Sequence, residues 1–386
     1  MPSRTTPLGL STTAIHGGCE EPRAGRPVVS PIYQSVNFLQ QAGTEEGLGY
    51  LRYGNNPNAE LLHRRLALLE GTEAALVLAS GMGATTGAML ALLRPGDHLL
   101  ASSWLYGGTH RFFTTELKTM GIDVTLVEPT QTRMWRRHVQ PNTRAIFVET
   151  PVNPSCRVLD LEPLSHLARE AGLALVVDST FASPVNFRPV EYGADIVIHS
   201  ATKYLNGHHD VLAGVVLGTA SFIEEVRQKM MVWGQAPDPF ALWLLERGLK
   251  TLDVRVQRQN ENAMRLAEWA EHRSDIARVH YPGLASHPDH ASAKATMRGY
   301  GGMMALELSG GGAAAERFIQ RLRIIAHAPS LGGVDSLVCE PRFTSHSAMT
   351  SEERAAIGIP DGFVRLSVGI ENADDLIADM EQALGS

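Results

Sequence analysis

The sequence is poor in cysteine and has no excess of basic charge. Its three cysteines, Cys19, Cys156 and Cys339, are scattered and form no CxxC pair, so we expect no disulfide framework and a reducing compartment, the cytoplasm. The formal net charge of −7 argues against a nucleic-acid-binding surface. Residues 1–10 contain no apolar stretch of the kind found in secretory signals, so we expect no export signal there.

The sequence also lacks a membrane span and a metal-binding motif. The window 74–93 is long and almost free of charge, but Ser80-Gly81-Met82-Gly83 interrupts it. We interpret this window as a buried strand, a glycine turn and a buried helix. Two histidine-containing stretches, 206–210 and 287–290, have neither the HExxH arrangement nor a cysteine set, and we interpret both as loops. We therefore expect neither membrane insertion nor a metal site.

Strand-like and helical segments alternate through much of the chain. This alternation predicts an α/β fold with a mostly parallel sheet covered by helices, and the length of 386 residues predicts more than one domain. We predict an extended arm over residues 1–57 that contacts a neighbouring subunit, a large domain over 58–255 and a smaller α/β domain over 256–386. The strand-like runs on which the large domain depends are 74–79, 98–101, 124–127, 145–148, 173–177 and 195–198.

Polar residues follow several of these strands and form the candidate site, because ligands in such sheets bind beyond the carboxyl ends of the strands. Lys203 follows one apolar strand and fits a Schiff base to an aldehyde cofactor, whose phosphate Ser200 and Thr202 would bind. Asp178 closes another apolar strand, where a buried acid needs a cationic partner such as a pyridinium nitrogen. Glu149 ends a third strand, and its side chain is expected at the same edge.

Three further groups of residues are suited to bind an anion or a flat ring. The turn at Gly81 and Met82 opens a helix and presents N–H groups to an anion; its glycine spacing departs from the dinucleotide fingerprint, which disfavours a nicotinamide site. Tyr106 lies beside two glycines and is placed to stack on a ring. Tyr50 and Arg52, two residues apart on a segment predicted to be extended, form a phosphate clamp.

Arg365 lies in an apolar strand-like run without an acid, so we predict that it binds a ligand carboxylate.

Taken singly, the candidate site features have plainer explanations: a surface lysine at a strand end, a ring packed at a turn, a solvated pair on a loop. Their combination predicts an enzyme that uses pyridoxal phosphate and acts on an amino acid.

Several motifs occur in order along nearly the whole chain. They are Ala14-Ile15-His16-Gly17-Gly18, Pro31-Ile32-Tyr33-Gln34, Glu149-Thr150-Pro151-Val152-Asn153-Pro154, Gly193-Ala194-Asp195, His199-Ser200-Ala201-Thr202-Lys203-Tyr204, Tyr281-Pro282-Gly283-Leu284, Ser330-Leu331-Gly332-Gly333 and Val364-Arg365-Leu366-Ser367-Val368-Gly369. Together they resemble the Cys/Met-metabolism family of pyridoxal-phosphate-dependent enzymes, which includes cystathionine γ-synthases, γ-lyases and β-lyases and methionine γ-lyases. The resemblance implies the type I, aspartate-aminotransferase-like fold and pyridoxal 5′-phosphate as cofactor.

The resemblance also implies a role for each site residue. Lys203 would hold the cofactor and move the substrate proton, Asp178 would keep the ring nitrogen protonated, and Tyr106 would stack on the ring and assist proton transfer. Asn153 would lie near the ring hydroxyl and the substrate, and Arg365 would bind the substrate carboxylate. Five further positions complete the implied site: Gly81, Met82, Ser200 and Thr202 at the phosphate, and Ser330 near the substrate. Tyr50 and Arg52 would bind the phosphate of a neighbouring subunit in a homotetramer.

Three positions bear on the choice within the family. Pro329 resembles plant-type γ-synthases, because bacterial relatives commonly have glutamate or tyrosine there. Gly108 weakens a methionine γ-lyase assignment, since those enzymes usually have cysteine at that position. Arg342 departs from the usual small residue, and we expect it either to alter the substrate entrance or, as the simpler case, to face solvent.

We therefore predict a γ-synthase-type enzyme that joins an activated homoserine ester to cysteine. Cystathionine γ-lyase is the first alternative, followed by O-acylhomoserine sulfhydrylase and methionine γ-lyase. A catalytically silent binding protein on the same fold is disfavoured, because every implied site residue is present.

Overall fold

Two β-sheets organise the protein in the computed structural model, which describes residues 8–19, 24–44, 47–345, 347 and 349–385. The first sheet has the strand order β1-β7-β6-β5-β4-β2-β3. Its strands run parallel except β7, which is antiparallel to both neighbours. The strands are β1 (Ala74–Leu78), β2 (His98–Ser102), β3 (Asp123–Val127), β4 (Thr143–Glu149), β5 (Ala174–Asp178), β6 (Ile196–His199) and β7 (Gly214–Gly218).

The second sheet has five strands in the order β10-β11-β12-β9-β8. All its pairings are antiparallel except the short one between β10 and β11. The strands are β8 (Ile276–His280), β9 (Met303–Leu308), β10 (Ala326–His327), β11 (Leu337–Cys339) and β12 (Phe363–Ser367).

Helices cover both sheets. They are α1 (Leu10–His16), α2 (Pro57–Glu70), α3 (Gly81–Leu92), α4 (Gly107–Arg111), α5 (Leu117–Thr119), α6 (Thr132–Trp135), α7 (Glu162–Ala171), α8 (Ser183–Asn186), α9 (Ala220–Trp233), α10 (Pro239–Leu249), α11 (Leu252–Glu271), α12 (His290–Thr296), α13 (Gly311–Arg321), α14 (Ser351–Ala356) and α15 (Ala373–Leu384). Among the described residues, no helix combines the length and the apolar character that crossing a bilayer requires.

The central strands of the first sheet are apolar on both faces. The runs 145–148 in β4, 175–177 in β5 and 196–198 in β6 are fully buried. This composition is what a parallel sheet with helices on both sides requires, since neither face of a strand reaches water. It confirms the α/β architecture and explains why the strands were recognisable in the sequence.

The arm over residues 1–57 is less extended than predicted. Residues 1–7, 20–23 and 45–46 of the arm lie outside the described part. Within the rest, Leu10–His16 forms α1 and Leu51–Tyr53 forms a 3₁₀ turn. The prediction that Arg52 and Tyr50 share one side of an extended segment is therefore wrong, because the chain turns between them.

Two asparagines fix the start of α2. Asn56 caps the helix, since its side chain accepts a hydrogen bond from the Asn58 N–H at 2.9 Å. Asn58 links the arm to the helix, accepting from the Tyr33 N–H and donating to the Pro31 carbonyl, both at 2.9 Å.

The predicted domain boundary at 255/256 falls inside a helix, α11.

Candidate active site

A cavity of about 520 Å³ opens beyond the carboxyl ends of β4, β5 and β6, a volume within the usual range for small-molecule sites. It brings together all the predicted site residues except Tyr50 and Arg52. The predicted residues in its wall are Gly81, Met82, Tyr106, Asn153, Asp178, Ser200, Thr202, Lys203, Ser330 and Arg365. Residues from both sheets therefore form one site.

The turn between β1 and α3 forms one end of the cavity. Ser80 caps α3 by accepting a hydrogen bond from the Gly83 N–H at 2.9 Å, which leaves the first amides of the helix available to an anion. A Cβ on Gly81 would lie 2.7 Å from Cβ and Oγ of Ser200. Only glycine lets the helix terminus approach Ser200 this closely.

The two hydroxyls assigned to the phosphate differ in their contacts. Ser200 Oγ makes no hydrogen bond to any described residue, whereas the backbone N–H of Ser200 donates to Thr180 Oγ1 at 2.8 Å. Thr202 Oγ1 is engaged with the backbone of Ala213, donating to its carbonyl at 3.1 Å and accepting from its N–H at 3.0 Å. Ser200 is therefore the readier donor for a ligand.

Asp178 lies at the end of β5, beside Glu149 at the end of β4, and the two residues are partners in the strand register. Asp178 Oδ1 accepts from Thr180 twice, from its N–H at 3.0 Å and its hydroxyl at 2.6 Å. Its Oδ2 has no hydrogen-bond partner among the described residues. Burial raises the pKa of Asp178, because a charged carboxylate in this environment lacks hydration and a cation. A cationic ring nitrogen would supply the missing partner.

Lys203 extends from the loop after β6 into the cavity. Its Nζ donates to Ser330 Oγ at 2.8 Å. Burial, assisted by the positive charge of Arg365, lowers the pKa of Lys203 to about 8. Ser330 itself has a φ of +89°, a conformation that non-glycine residues adopt only at a cost and that often occurs at functional sites. The lysine is therefore held in place and is readily deprotonated.

Arg365 in β12 is buried and is held by two contacts. Its Nη1 donates to Asn153 Oδ1 at 3.0 Å and its Nη2 to the Ser330 carbonyl at 2.8 Å. Its Nε has no hydrogen-bond partner among the described residues, and no ion pair to Arg365 occurs among them. A buried guanidinium with a spare donor and no acid fits a ligand carboxylate.

Tyr106 precedes α4, and its side chain is 45% exposed. Its backbone N–H donates to Glu149 Oε2 at 2.8 Å. The glycines after it are required by close contacts, since a Cβ on Gly108 would lie 2.6 Å from Tyr106 Cε1 and 3.0 Å from Met82 Sδ. The ring is thus available to a ligand in the cavity.

Tyr50 and Arg52 lie away from this cavity in the same chain. Arg52 Nη1 donates to the Met231 carbonyl at 2.8 Å, and its guanidinium carbon lies 5.4 Å from the centre of the Tyr50 ring. The two side chains thus contact each other but none of the cavity residues. A role in phosphate binding requires a second copy of the chain.

Arg342 does not face solvent. Its side chain is 15% exposed and pairs with Glu340 at 2.6 Å and Glu316 at 2.8 Å, so that alternative is wrong. Arg342 does not line the cavity, but Thr344 and Ser345 do, and an effect of Arg342 on the substrate entrance stays a prediction. The pairing with Glu316 was not predictable, because Glu316 lies on α13, 26 residues away in sequence.

Two residues of the site were not assigned roles from the sequence. Thr180 links Asp178 to Ser200, and Glu149 contacts Tyr106 and, through Oε1, the Asn153 N–H at 2.8 Å. Glu149 had one visible signal, its position after an apolar strand. Among the described residues, no cluster of three or more metal-ligating side chains occurs.

The chain is similar in sequence and in fold to known proteins. The family model described as "Cys/Met metabolism PLP-dependent enzyme" matches residues 11–385. The L-methionine gamma-lyase of Pseudomonas putida is 41% identical, over 97% of both chains. Cystathionine gamma-synthase 1, chloroplastic, of Nicotiana tabacum is also 41% identical, over 97% of this chain and 72% of that protein. The crystal structure of cystathionine gamma synthase from Xanthomonas oryzae pv. oryzae has a TM-score of 0.94 at 39% identity and covers 98% of both chains.

Proposed function

The chain belongs to the family of Cys/Met metabolism PLP-dependent enzymes, and from this we propose that it is a γ-synthase that joins an activated homoserine ester to cysteine. The family fixes the coarser function: a trans-sulfuration enzyme of cysteine and methionine metabolism with pyridoxal phosphate as cofactor. Relatives named as γ-synthase, γ-lyase, β-lyase and methionine γ-lyase are about equally identical to the chain. The choice among them rests on the site.

The residues of the cavity fit the cofactor. The glycine at 81 lets the first amides of α3 and Ser200 approach each other closely enough to bind one anionic group, Asp178 Oδ2 lacks a partner, and Arg365 Nε remains unpaired within the described part of the chain. When bound, pyridoxal phosphate supplies an electron sink that stabilises negative charge at the substrate Cα. The amides of Gly81 and Met82 would hold its phosphate, and Tyr106 would contact its ring.

The protein's own groups would orient the substrate and move its protons. Arg365 would bind the substrate carboxylate, with Asn153 and the Ser330 carbonyl fixing the guanidinium plane. Lys203 Nζ, with its lowered pKa, would take the Cα proton as a general base. The Ser330 hydroxyl would accept a hydrogen bond from Nζ and so keep it within reach.

One observation carries the preference for the γ-synthase: the wall formed by Pro329, Leu331, Thr344 and Ser345 has no charged side chain. The charged residues that line the cavity are Glu149, Asp178, Lys203 and Arg365, and each is already engaged or assigned. An uncharged wall suits the ester linkage of an activated homoserine. Pro329, with its resemblance to plant-type γ-synthases, lies in this wall.

Gly108 supports the choice against methionine γ-lyase. A side chain there would overlap Tyr106 unless the ring moved, so the cysteine typical of methionine γ-lyases does not fit this arrangement. Cystathionine γ-lyase remains the second candidate, because the cystathionine gamma-lyase of Bacillus subtilis is 38% identical over 97% of the chain.

The test compares products in one preparation. We expect O-succinylhomoserine or O-acetylhomoserine with cysteine to give cystathionine, and cystathionine alone to give little 2-oxobutanoate. Rapid release of 2-oxobutanoate from cystathionine without any synthesis would overturn the proposal in favour of the γ-lyase. Release of methanethiol from methionine as the dominant activity would overturn it in favour of the methionine γ-lyase. Lys203→Ala provides the inactive control.

We also propose that the enzyme is a homotetramer of two dimers, in which Tyr50 and Arg52 complete the phosphate site of a neighbouring subunit. Two observations support this: the pair lies outside its own cavity, and the arm exposes apolar side chains. The exposed ones include Val28, Val29, Val36 and Leu39, and such a surface is normally covered by another chain.

The unpaired state of all three cysteines fits the cytoplasmic location expected from the sequence.

A further inference from the structure

The carboxylate of Glu149 lies at the junction of two loops that carry site residues. It ends β4, is 5% exposed and lines the cavity. One loop follows β2 and carries Tyr106; the other follows β4 and carries Asn153. A buried acid is costly unless it is fully hydrogen-bonded, so its partners indicate why it is present.

Each oxygen of Glu149 holds one of these loops. Oε2 accepts from the Tyr106 N–H and Oε1 from the Asn153 N–H, both at 2.8 Å. Burial and the neighbouring Asp178 raise the pKa of Glu149 to about 8, so what the two contacts need is an acceptor oxygen at each position. A carboxyl group supplies both, whereas a glutamine could accept only one of the two, because its amide nitrogen would point a donor at the other N–H.

The contacts continue from Asn153 to the lysine. Asn153 Oδ1 accepts from Arg365, Arg365 donates to the Ser330 carbonyl, and Ser330 Oγ accepts from Lys203 Nζ. Tyr106, on the other side of Glu149, is the residue assigned to the cofactor ring. Glu149 is thus the one described residue that hydrogen-bonds both the ring-contacting loop and the loop that orients the substrate arginine.

We propose that Glu149 is a positioning residue that couples the two sides of the active site, holding Tyr106 against the cofactor and Asn153 against Arg365 through one buried carboxylate. This rests on the site assignment made under the proposed function, in which Tyr106 contacts the ring and Arg365 the substrate carboxylate. Glu149 touches neither ligand in this scheme. The two loops also touch where the Arg157 guanidinium lies 4.6 Å from the centre of the Trp104 ring, but Glu149 is the hydrogen-bonded link next to the site residues, so its removal should loosen both sides at once.

Asp379 provides a matched control. It is also a buried carboxylate, and it accepts hydrogen bonds from the N–H groups of Arg323, Ile324 and Ile325 at 2.8–3.0 Å. It does not line the cavity. Asp379→Asn therefore removes a carboxylate of the same kind without touching the site, and it should lower stability without altering the cofactor or the substrate.

The experiment uses the holoenzyme and L-alanine, an amino acid without a γ-substituent. For Glu149→Gln we expect the visible circular dichroism of the bound cofactor to change and the Kd for L-alanine, from absorbance titration, to rise on the order of tenfold. Asp379→Asn should leave both values at those of the wild type. If Glu149→Gln matched Asp379→Asn in both readouts, the proposal would be overturned.

A double-mutant cycle distinguishes a specific effect of Glu149 on Arg365 from a general loss of order in the active site. If Glu149 acts through Asn153 on Arg365, then Glu149→Gln should weaken L-alanine binding much less in an Arg365→Lys background. Additive losses would contradict the proposed route. Glu149→Asp, which keeps the carboxyl group but shortens the side chain, should fall between wild type and Glu149→Gln. It replaces the glutamine variant in the comparison if that variant folds poorly. Because L-alanine has no leaving group, failure of the γ-synthase assay would leave these comparisons intact.

Discussion

At the scale of single residues, the site is defined by ionisable groups whose pKa values are shifted. Lys203 and Asp178 are both partly buried; the pKa of Lys203 is lowered and that of Asp178 is raised. Burial is the leading cause for both, and it disfavours the charged form of each group. Perturbed acids and bases that share one cavity are typical of active sites.

The pKa of Lys203 gives the first prediction. In the cofactor-free enzyme, Lys203 should react with trace acetic anhydride with a midpoint near pH 8, since only the neutral amine is nucleophilic. An ordinary exposed lysine would have its midpoint at about pH 10.4. Peptide mass spectrometry across pH measures this directly. Arg365→Gln should move the midpoint upward, because the arginine charge helps to lower the pKa; a Lys203 midpoint near 10 in the wild type would refute the assigned environment.

Arg365 gives the second prediction. Arg365→Ala should raise the KM for the amino-acid substrate by roughly tenfold to a hundredfold, because charge-assisted hydrogen bonds contribute about 1.5–3 kcal/mol each. The visible spectrum of the cofactor should persist, since Arg365 is assigned to the substrate and not to the cofactor. Loss of the cofactor from this variant would contradict the assignment.

At the scale of elements, the approach of α3 to the loop after β6 forms the anion end of the cavity. The approach is possible because residue 81 has no Cβ: an added one would meet Ser200 at 2.7 Å. Contacts this short force a shift, and overpacking typically costs about 1–3 kcal/mol.

Gly81→Ala gives the third prediction. It should weaken the binding of pyridoxal phosphate to the cofactor-free enzyme by tenfold or more, because the shift displaces Ser200 or the first amides of α3. Fluorescence titration measures the Kd. Gly9→Ala is the control, since no atom lies within 4 Å of the Cβ it would add; equal affinity for the two variants would argue against an anion site at this turn.

The elements that were predicted well from the sequence are the fully buried strands, because their apolar composition indicates burial directly. The central runs of β4, β5 and β6 (145–148, 175–177 and 196–198) are apolar, because both faces of the sheet are covered there. The short helix α1 was missed because a seven-residue helix has little intrinsic stability. It depends on distant contacts instead, such as the bond from Arg65 Nε to the Gly17 carbonyl at 3.0 Å, and no local pattern reveals them.

At the scale of the whole molecule, the site depends on contacts between distant parts of the chain. Lys203 and Ser330 are 127 residues apart in sequence, and Asn153 and Arg365 are 212 apart. The individual residues were predictable because each stands out locally or matches a family motif. Their hydrogen-bond partners were not predictable, because the contacts between loops depend on the tertiary fold. These partners include Glu149, Thr180 and the acids that pair with Arg342.

The proposed assembly gives the fourth prediction. Arg52→Ala and Lys203→Ala should each be nearly inactive, but subunits mixed by co-expression should regain part of the wild-type activity. A hybrid dimer contains one site in which an intact Arg52 from one subunit meets an intact Lys203 from the other. Activity assays on the purified hybrid, with light scattering for its mass, test this. No recovery in a verified hybrid would show that Arg52 does not act across subunits.

If the cavity beyond β4, β5 and β6 is the active site and Lys203 its cofactor lysine, borohydride reduction of the holoenzyme should attach the cofactor to that residue. Peptide mass spectrometry should then find a pyridoxyl group on the peptide that contains Lys203, and no such group on peptides containing Lys118, Lys229, Lys250 or Lys294. A pyridoxyl group on any of those four lysines, or none on Lys203, would contradict this assignment.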